Sequence, residues 1–281
     1  MSHIQYNLRY ASHPDDAKHY DTQRLRKEFL IQNLFEKNRI NLVYTDYDRF
    51  IVGGAFPVTE ELKLEPIDPL KAPQFLHRRE LGIINIGGKA IVTADGNKYE
   101  LEIKDALYLG QGSKDVTFAS ANRDKPAKLY INSAPAHKSY PSKKVSLRDA
   151  EAVELGALKT SNARKINKLL VNSIVESCQL QMGMTELKEG SVWNTMPPHT
   201  HGRRMEAYFY FDVAENQAVC HFMGQPQETR HIWVGNEEAV ISPTWSIHAG
   251  AGTGKYTFIW GMGGENLDYG DMDTVQPIDL R

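Results

Sequence analysis

The chain has 281 residues, of which 41% are hydrophobic and 24% are charged, enough apolar material to bury one large core or two ordinary ones. Its 33 basic and 35 acidic residues are interspersed and the formal net charge is −2, so neither nucleic acid nor a membrane is an expected partner. No segment approaches the roughly 18 consecutive apolar residues of a membrane span, and the first residues lack a signal-peptide pattern. We therefore expect a cytoplasmic protein.

The first part of the chain predicts one helix followed by short strands. Asp21 or Thr22 can cap a helix that runs through Phe35, with Leu25 and Phe29 at helical spacing. Beyond it, runs rich in Val, Ile, Tyr and Phe are broken by Gly, Pro, Asn and Asp, which is typical of strands and turns. A mainly β protein is predicted.

The two halves of the chain share a pattern. Residues 87–120 and residues 216–250 each run strand, turn, strand, acidic turn, short strand and a small-residue end, which we interpret as an internal repeat of one barrel. Between the halves, Ser161 or Asn162 can cap a second short helix over residues 160–170. Strands are predicted to resume after this helix.

A short stretch near residue 200 carries the strongest chemical signal. His199 and His201 are two residues apart, so on a strand their imidazoles point to one face and can share an ion. Glu206 is out of phase with them, and Gly202 allows a turn that brings the carboxylate in from the next strand. His248 follows a proline-marked turn further along. Three imidazoles and one carboxylate suit Zn²⁺, Fe²⁺, Mn²⁺ or Ni²⁺ better than Mg²⁺ or Ca²⁺.

This order of ligands resembles the two-part metal motif of the cupin superfamily, although Trp245 stands where a small residue is usual. Longer strings resemble the 5-keto-4-deoxyuronate isomerase family of pectin catabolism, from about residue 10 to the C-terminus. They are TSNARKIN, SVWNTMPPHTHGRRMEAYFYFD, NLVYTDYDRFIVGGAFPV and WGMGGEN. The resemblance implies two cupin-like, jelly-roll β-barrels in tandem. We place an N-terminal arm at residues 1–22, a first barrel without metal at 23–155 and a metal-binding barrel at 156–281.

The resemblance also implies an activity. It predicts a cytoplasmic, zinc-dependent homohexamer that converts 5-dehydro-4-deoxy-D-glucuronate, a small sugar acid, into 3-deoxy-D-glycero-2,5-hexodiulosonate. One Zn²⁺ per subunit would be held by the residues that match the family's ligands, namely His199, His201, Glu206 and His248.

An aldose–ketose isomerisation also needs a base that takes a proton from the carbon beside a carbonyl. Glu206, Tyr208 and Tyr210 are the candidates, because alternate residues of one strand share a face. His221 and His231 are candidates for contacts to the ligands. The substrate carboxylate needs a cation, and the candidates are Arg203, Arg204, Arg164 and Lys165.

Two other functions stay open at this point. A cupin dioxygenase with non-haem iron would have the same ligand set, and a sugar-acid-binding cupin would have no turnover. The glycine-rich segment 250–256 is predicted to be a turn between strands rather than a phosphate-binding loop, because Tyr256 replaces the hydroxyl that would bind Mg²⁺. The first half has His77 but no His-x-His pair, so no second metal site is expected there.

Overall fold

A computed structural model describes residues 3–281, and within them the protein is mainly β, as predicted. The strands of the first half are β1 Ile4–Arg9, β2 Leu30–Ile31, β3 Ile40–Thr45, β4 Ile51–Ala55, β5 Leu62–Lys63, β6 Arg79–Asn85, β7 Ala90–Ala94, β8 Asn97–Leu101, β9 Ala106–Leu109, β10 Thr117–Ser120, β11 Leu129–Pro135 and β12 Lys143–Val145. Those of the second half are β13 Glu151–Leu155, β14 Arg164–Leu170, β15 Gln181–Leu187, β16 Trp193–Asn194, β17 His199–Thr200, β18 Arg204–Phe211, β19 Val219–Gln225, β20 Glu228–Val234, β21 Glu238–Ser242, β22 Ala249–Gly252, β23 Thr257–Gly264 and β24 Asp273–Thr274.

Helices are short. They are α1 Pro14–Ala17 and α2 Thr22–Phe29, with 3₁₀ turns at Asp68–Leu70, Leu147–Asp149, Leu158–Thr160 and Pro277–Asp279. In the described part of the chain, no helix has the length and apolar character needed to cross a membrane.

Helix α2 begins where the sequence predicts and ends earlier. The Asp21 carboxylate accepts a hydrogen bond of 2.8 Å from the N–H of Arg24, and Leu25 and Phe29 are buried. The helix stops at Phe29 rather than Phe35 because β2 follows at once and pairs with β21. Pairing with a distant strand therefore overrides the local helical spacing.

Two pairs of sheets repeat one strand order. The first pair has the orders β1-β3-β4-β11-β6-β9-β12 and β5-β10-β7-β8, and the second has β13-β14-β15-β23-β18-β21-β2 and β16-β22-β19-β20. Strands β7 to β10 thus occupy the positions that β19 to β22 occupy in the other pair. This equivalence matches the repeat predicted between residues 87–120 and 216–250.

The chain divides into two compact units. Unit 1 comprises residues 3–9, 33–151 and 169–182, and unit 2 comprises residues 10–32, 152–168 and 183–281. Residues 23–32 and 152–155, which we predicted with the first barrel, belong to unit 2, and residues 169–182, which we predicted with the second barrel, belong to unit 1. The division into an arm and two barrels stays a prediction.

The helix predicted over residues 160–170 was wrong. Arg164–Leu170 form strand β14, which lies between β13 and β15 in its sheet. A short apolar run such as the one after Arg164 fits a helix and a strand equally well, and only the neighbouring strands decide. Alternate residues of this strand line one cavity, namely Arg164, Ile166 and Lys168.

Candidate metal centre

The four predicted ligand side chains meet in unit 2. Nε2 of His201 lies 3.0 Å and Nε2 of His248 lies 2.9 Å from Oε2 of Glu206, and the Nε2 atoms of His248 and His199 are 3.0 Å apart. The four donor atoms all lie within 4.8 Å of one another. One ion with ligand distances of about 2.0–2.2 Å requires separations of this order.

Short local structures position three of these residues. His199 lies in β17, which pairs with β24. The N–H of Arg204 donates to the carbonyl of His201 at 3.1 Å, which closes the turn predicted at Gly202. Glu206 is the third residue of β18, and β21 and β23 pair with β18 on either side. The carboxylate is therefore held by the centre of a sheet.

The remaining orientation comes from two further contacts. A turn in which Ser246 donates to the carbonyl of Pro243 at 2.9 Å precedes His248, and His248 leads directly into β22. Nδ1 of His201 lies 2.8 Å from the carbonyl oxygen of Arg204. The Nδ1–H group donates there, so Nε2 is the ring nitrogen that faces the cluster and would serve as the donor atom for an ion.

Burial and mutual contact set the charge of the cluster. Burial, and then the neighbouring His248, lower the pKa of His199 to about 3. Burial opposes ionisation of Glu206, but the imidazoles of His248 and His201 outweigh it and hold the pKa of this carboxyl well below its usual range. The cluster thus offers an ionised carboxylate beside a neutral imidazole, the forms that bind a divalent ion. The donor chemistry fits Zn²⁺, Fe²⁺, Mn²⁺ or Ni²⁺.

A cavity of about 360 Å³ opens beside the cluster, and every residue that lines it belongs to unit 2. Its volume falls in the range of small-molecule sites. The wall contains three of the four predicted ligands, three basic residues and several aromatic ones. These are His199, His201, Glu206, Arg164, Lys168, Arg204, Tyr208, Phe258, Trp260 and Tyr269.

Two of the four predicted cations reach this cavity. Arg164 and Arg204 line it, whereas Arg203 and Lys165 are not among the described residues of the wall. Arg203 instead forms a salt bridge with Asp271. Arg204 is fully buried, and its Nη2 donates to the carbonyl of Asp271 at 2.9 Å. Its Nε and Nη1 have no hydrogen-bond partner within residues 3–281.

The two predicted tyrosines have different surroundings. Tyr208 lines the cavity, and its hydroxyl lies 2.9 Å from Oγ1 of Thr195. Burial raises its pKa well above the usual value, so the phenol is neutral. Tyr210 is absent from the described cavity wall, and its hydroxyl lies 2.8 Å from Nδ1 of the fully buried His221. His231, on the strand paired with that of His221, is exposed.

Lys168 and Tyr269 are two of the wall residues that the sequence analysis did not predict. The Lys168 ammonium lies 4.7 Å from the centre of the Tyr269 ring. Residues 164, 166 and 168 are two apart, and that period would have revealed Lys168 if the segment had been interpreted as a strand. Tyr269 lies beyond β23, and no local pattern marks it.

The model of the KduI/IolB family matches residues 29–276. The chain belongs to the KduI/IolB family. This KduI/IolB member is 62% identical to a 4-deoxy-L-threo-5-hexosulose-uronate ketol-isomerase of Formosa agariphila over 99% of both chains. It is 60% identical to the protein of that name from Bacteroides fragilis and 53% identical to that from Yersinia pseudotuberculosis, each over 98% of this chain and 99% of the relative. The family resemblance predicted from the sequence is confirmed.

Solved structures show the same fold at low sequence identity. An IolB-like protein from Salmonella typhimurium LT2 matches with a TM-score of 0.66 and 14% identity, over 80% of this chain and 87% of that one. An oxalate decarboxylase from Lactobacillus farciminis matches with a TM-score of 0.55 and 9% identity, over 81% of this chain and 78% of that one. At these identities the likeness concerns the fold alone.

Proposed function

We propose that this KduI/IolB member isomerises 5-dehydro-4-deoxy-D-glucuronate to 3-deoxy-D-glycero-2,5-hexodiulosonate. Relatives that are 53–62% identical over almost their whole length and are named ketol-isomerases support the proposal. The observation that carries it is the meeting of three imidazoles and a carboxylate at a cavity that also presents Arg164, Lys168 and Arg204. Such a cavity offers metal ligands and cations for an anionic sugar in one place.

The reaction moves hydrogen between neighbouring carbons. The proton on C2 is transferred to C1, and the C2 hydroxyl proton ends on O1. The C1 aldehyde becomes CH₂OH and C2 becomes a ketone. His199, His201, Glu206 and His248 would hold a divalent ion, which would supply Lewis-acid stabilisation of the charge that develops on oxygen.

We assign proton transfer to the two predicted residues that reach the cavity. Both imidazole contacts of Glu206 use Oε2, and Oε1 has no hydrogen-bond partner among the described residues, so Oε1 is the candidate acceptor of the C2 proton. The neutral phenol of Tyr208 can hold a proton at a substrate oxygen. Tyr210 contacts His221, and we propose that it acts only through that residue. A Glu206 that serves as ligand alone is the alternative.

The substrate carboxylate lies at the opposite end of the six-carbon chain from the reacting aldehyde. Arg164 and Lys168 stand on one face of β14 and line the cavity. We propose that they bind this carboxylate through charged hydrogen bonds. Arg204, buried against the cluster, adds positive potential between the two ends.

Zinc as the ion, one per subunit, is part of the same proposal. So are the cytoplasmic location, the homohexamer, and the arrangement of each pair of sheets as a cupin-like barrel. The sequence resemblance supports all four, and the donor set is compatible with zinc.

The test is direct. We would follow the keto-deoxyuronate by NMR with purified protein, then after chelation, and then after reloading with Zn²⁺, in air and without oxygen. We expect conversion that stops with the chelator, returns with Zn²⁺ and does not need oxygen. Oxygen-dependent oxidation would favour the dioxygenase, and binding without conversion would favour the non-catalytic cupin.

A further inference from the structure

Unit 1 contains a cavity of about 360 Å³, the same volume as that of the cavity beside the cluster in unit 2. Its wall joins three arginines to apolar and aromatic side chains, and among the described residues no aspartate or glutamate lines it. The residues that matter here are Arg49, Arg78, Arg79, Tyr44, Leu70 and Phe75. The cavity therefore combines positive charge with an apolar face.

Arg79 is the buried member of this group, with 5% of its surface exposed. Its Nε donates to Oγ of Ser133 at 3.1 Å, and its Nη2 donates to the carbonyls of Ser133 at 2.8 Å and Arg49 at 2.7 Å. No carboxylate pairs with it in residues 3–281, and burial is the main cause that lowers its pKa to about 10. A buried guanidinium with only neutral partners is costly unless an anion completes its shell.

The adjacent carboxylate, Glu80, is engaged elsewhere. Its Oε2 accepts hydrogen bonds from the Tyr108 hydroxyl at 2.7 Å and the Cys178 N–H at 2.8 Å, and its Oε1 accepts from the N–H groups of Gln179 and Leu180, both at 2.8 Å. Neighbouring side chains of a strand point to opposite faces. Glu80 therefore makes no direct ion pair with Arg79, and its Coulombic effect on the pKa of Arg79 is smaller than that of burial.

A second guanidinium comes from the turn between β3 and β4. Asp48 and Arg49 have φ values of 48° and 49°, and Phe50 donates to the carbonyl of Tyr47 at 3.0 Å, as in a type I′ turn that favours glycine or asparagine. An arginine in this conformation is a costly choice, and such strain collects at functional positions. Arg49 is exposed and lines the cavity, and no described residue pairs with its guanidinium.

Arg78 shapes the opposite wall. Its Nη2 donates to the carbonyls of Leu70 at 2.8 Å and Lys71 at 3.1 Å. These bonds fix the 3₁₀ turn that ends at Leu70. The apolar face of the cavity is therefore held in place rather than formed by a loose loop.

The repeated strand order makes the arginine of this cavity equivalent to one at the metal centre. Arg79 opens β6 opposite Pro135, the last residue of β11. Arg204 opens β18 opposite Gly264, the last residue of β23. Both cavities thus have a buried arginine at the same position of the repeat.

Two of the four predicted metal ligands, in contrast, have apolar equivalents. Leu81 is the third residue of β6, as Glu206 is of β18, and each stands opposite the end of the neighbouring strand. Val116 directly precedes β10, as His248 directly precedes β22. Leu81 and Val116 are buried in the hydrophobic core of unit 1. Unit 1 therefore has the cationic element without the donors for an ion.

We propose that this cavity of unit 1 binds a small organic acid, with its carboxylate between the guanidinium groups of Arg79 and Arg49 and its carbon skeleton against Leu70 and Phe75. Paired guanidinium groups suit a planar carboxylate, and the volume suits an acid of about six carbons. The site binds such an acid without converting it. Binding at this site does not depend on the proposed isomerase activity.

D-gluconate is a suitable probe because it has six carbons and a carboxylate but no aldehyde or ketone to isomerise, and the C–H groups of its chain can lie against Leu70 and Phe75. We would titrate the zinc-loaded 281-residue protein by calorimetry, with D-glucitol as the matched neutral ligand and inorganic phosphate as a second oxyanion. Arg49→Gln removes the accessible guanidinium, and Arg123→Gln is the control, because Arg123 is exposed and outside the described cavity wall. Using Arg49 avoids the risk that a variant at buried Arg79 fails to fold.

We expect one class of gluconate sites to weaken by about tenfold or more in Arg49→Gln and to be unchanged in Arg123→Gln. D-glucitol should not occupy that class, and phosphate should not displace gluconate from it. Equal gluconate titrations of Arg49→Gln and the unaltered protein would overturn the proposal, as would displacement by phosphate. Isomerisation rates should be the same in both proteins. If neither Arg49→Gln nor the unaltered protein converts the keto-deoxyuronate, the proposed isomerase activity is wrong. The gluconate titrations would still test the acid-binding site of unit 1.

Discussion

The roles of the basic residues near the metal-ligand cluster depend on which side chains reach the cavity. Arg203 and Arg204 are neighbours in sequence, yet one forms a salt bridge with Asp271 and the other is buried in the cavity wall. On β14, Arg164 reaches the wall and Lys165 does not. The alternation of side chains along β14 explains the second pair, whereas Arg203 lies in the turn before β18 and only Arg204 belongs to the strand.

At this scale, replacing Arg164 by Gln should lower kcat/KM for the keto-deoxyuronate by about 10- to 100-fold, mainly through KM, because a charged hydrogen bond to the substrate is lost. Initial rates over a range of substrate concentrations measure this. Lys165→Gln is the matched control on the same strand and should behave like the unaltered protein. An equal loss in both variants, or none in either, would contradict the assignment.

His221 should make the metal-free protein sensitive to acid. Burial, and then His248, lower its pKa from the usual 6.5 to about 3, so between these values the unfolded chain binds a proton that the folded chain does not. The contribution of neutral His221 to the free energy of unfolding is fully present above about pH 6.5. As the pH decreases below this value, the free energy of unfolding falls by up to about 1.4 kcal/mol per pH unit for one such group.

We expect the melting temperature of the chelated protein to fall less steeply from pH 7 to pH 4.5 in His221→Gln than in the unaltered protein. His231→Gln is the control, since His231 is exposed on the paired strand. If the melting temperature falls with pH at the same slope in all three proteins, His221 is not the source of the acid sensitivity.

At the scale of elements, close approach between strands limits what the sheet beside the cavity accepts. Gly183 lies in β15, where an added Cβ would stand 2.1 Å from Cζ2 of Trp260 and 2.7 Å from the carbonyl oxygen of Asn167. Trp260 lines the cavity. The absence of a side chain at position 183 therefore lets the aromatic wall pack against the backbone.

Gly183→Ala should destabilise the protein by about 1–3 kcal/mol, because the overlap involves a ring and a backbone carbonyl that cannot both move away. Thermal unfolding followed by circular dichroism measures the change. Gly202→Ala is the control, since an added Cβ there meets nothing within 4 Å. A melting temperature for Gly183→Ala equal to that of Gly202→Ala would refute the packing argument.

For the molecule as a whole, the distribution of tryptophans allows the unfolding of one unit to be followed separately by fluorescence. The chain has four tryptophans, and all of them lie in the ranges that form unit 2. They are Trp193, Trp233, Trp245 and Trp260. Tryptophan fluorescence therefore reports on the unit that contains the ligand cluster.

Removing the ion should lower the melting temperature measured by tryptophan fluorescence. A ligand that binds only the folded state, at a free concentration of 1,000 times its Kd, raises the free energy of unfolding by about 4 kcal/mol. Reloading with Zn²⁺ should restore it, whereas Mg²⁺ should not, since Mg²⁺ prefers oxygen ligands. The same curve with and without chelator would mean that the cluster holds no ion in solution.

Residue types and short spacings alone identified the mainly β character, the capped start of α2, the repeat and the four residues whose side chains form a cluster that could hold a metal ion. Local spacing suffices there because ligand chemistry and strand period act over a few residues. The tertiary structure decided four other features. They are the end of α2 at Phe29, the strand at Arg164–Leu170, the position of Arg204 rather than Arg203 in the cavity wall, and the arginine-lined cavity of unit 1. Each depends on strand pairing or burial between residues far apart in the chain, and a local pattern does not encode which of its faces will be covered.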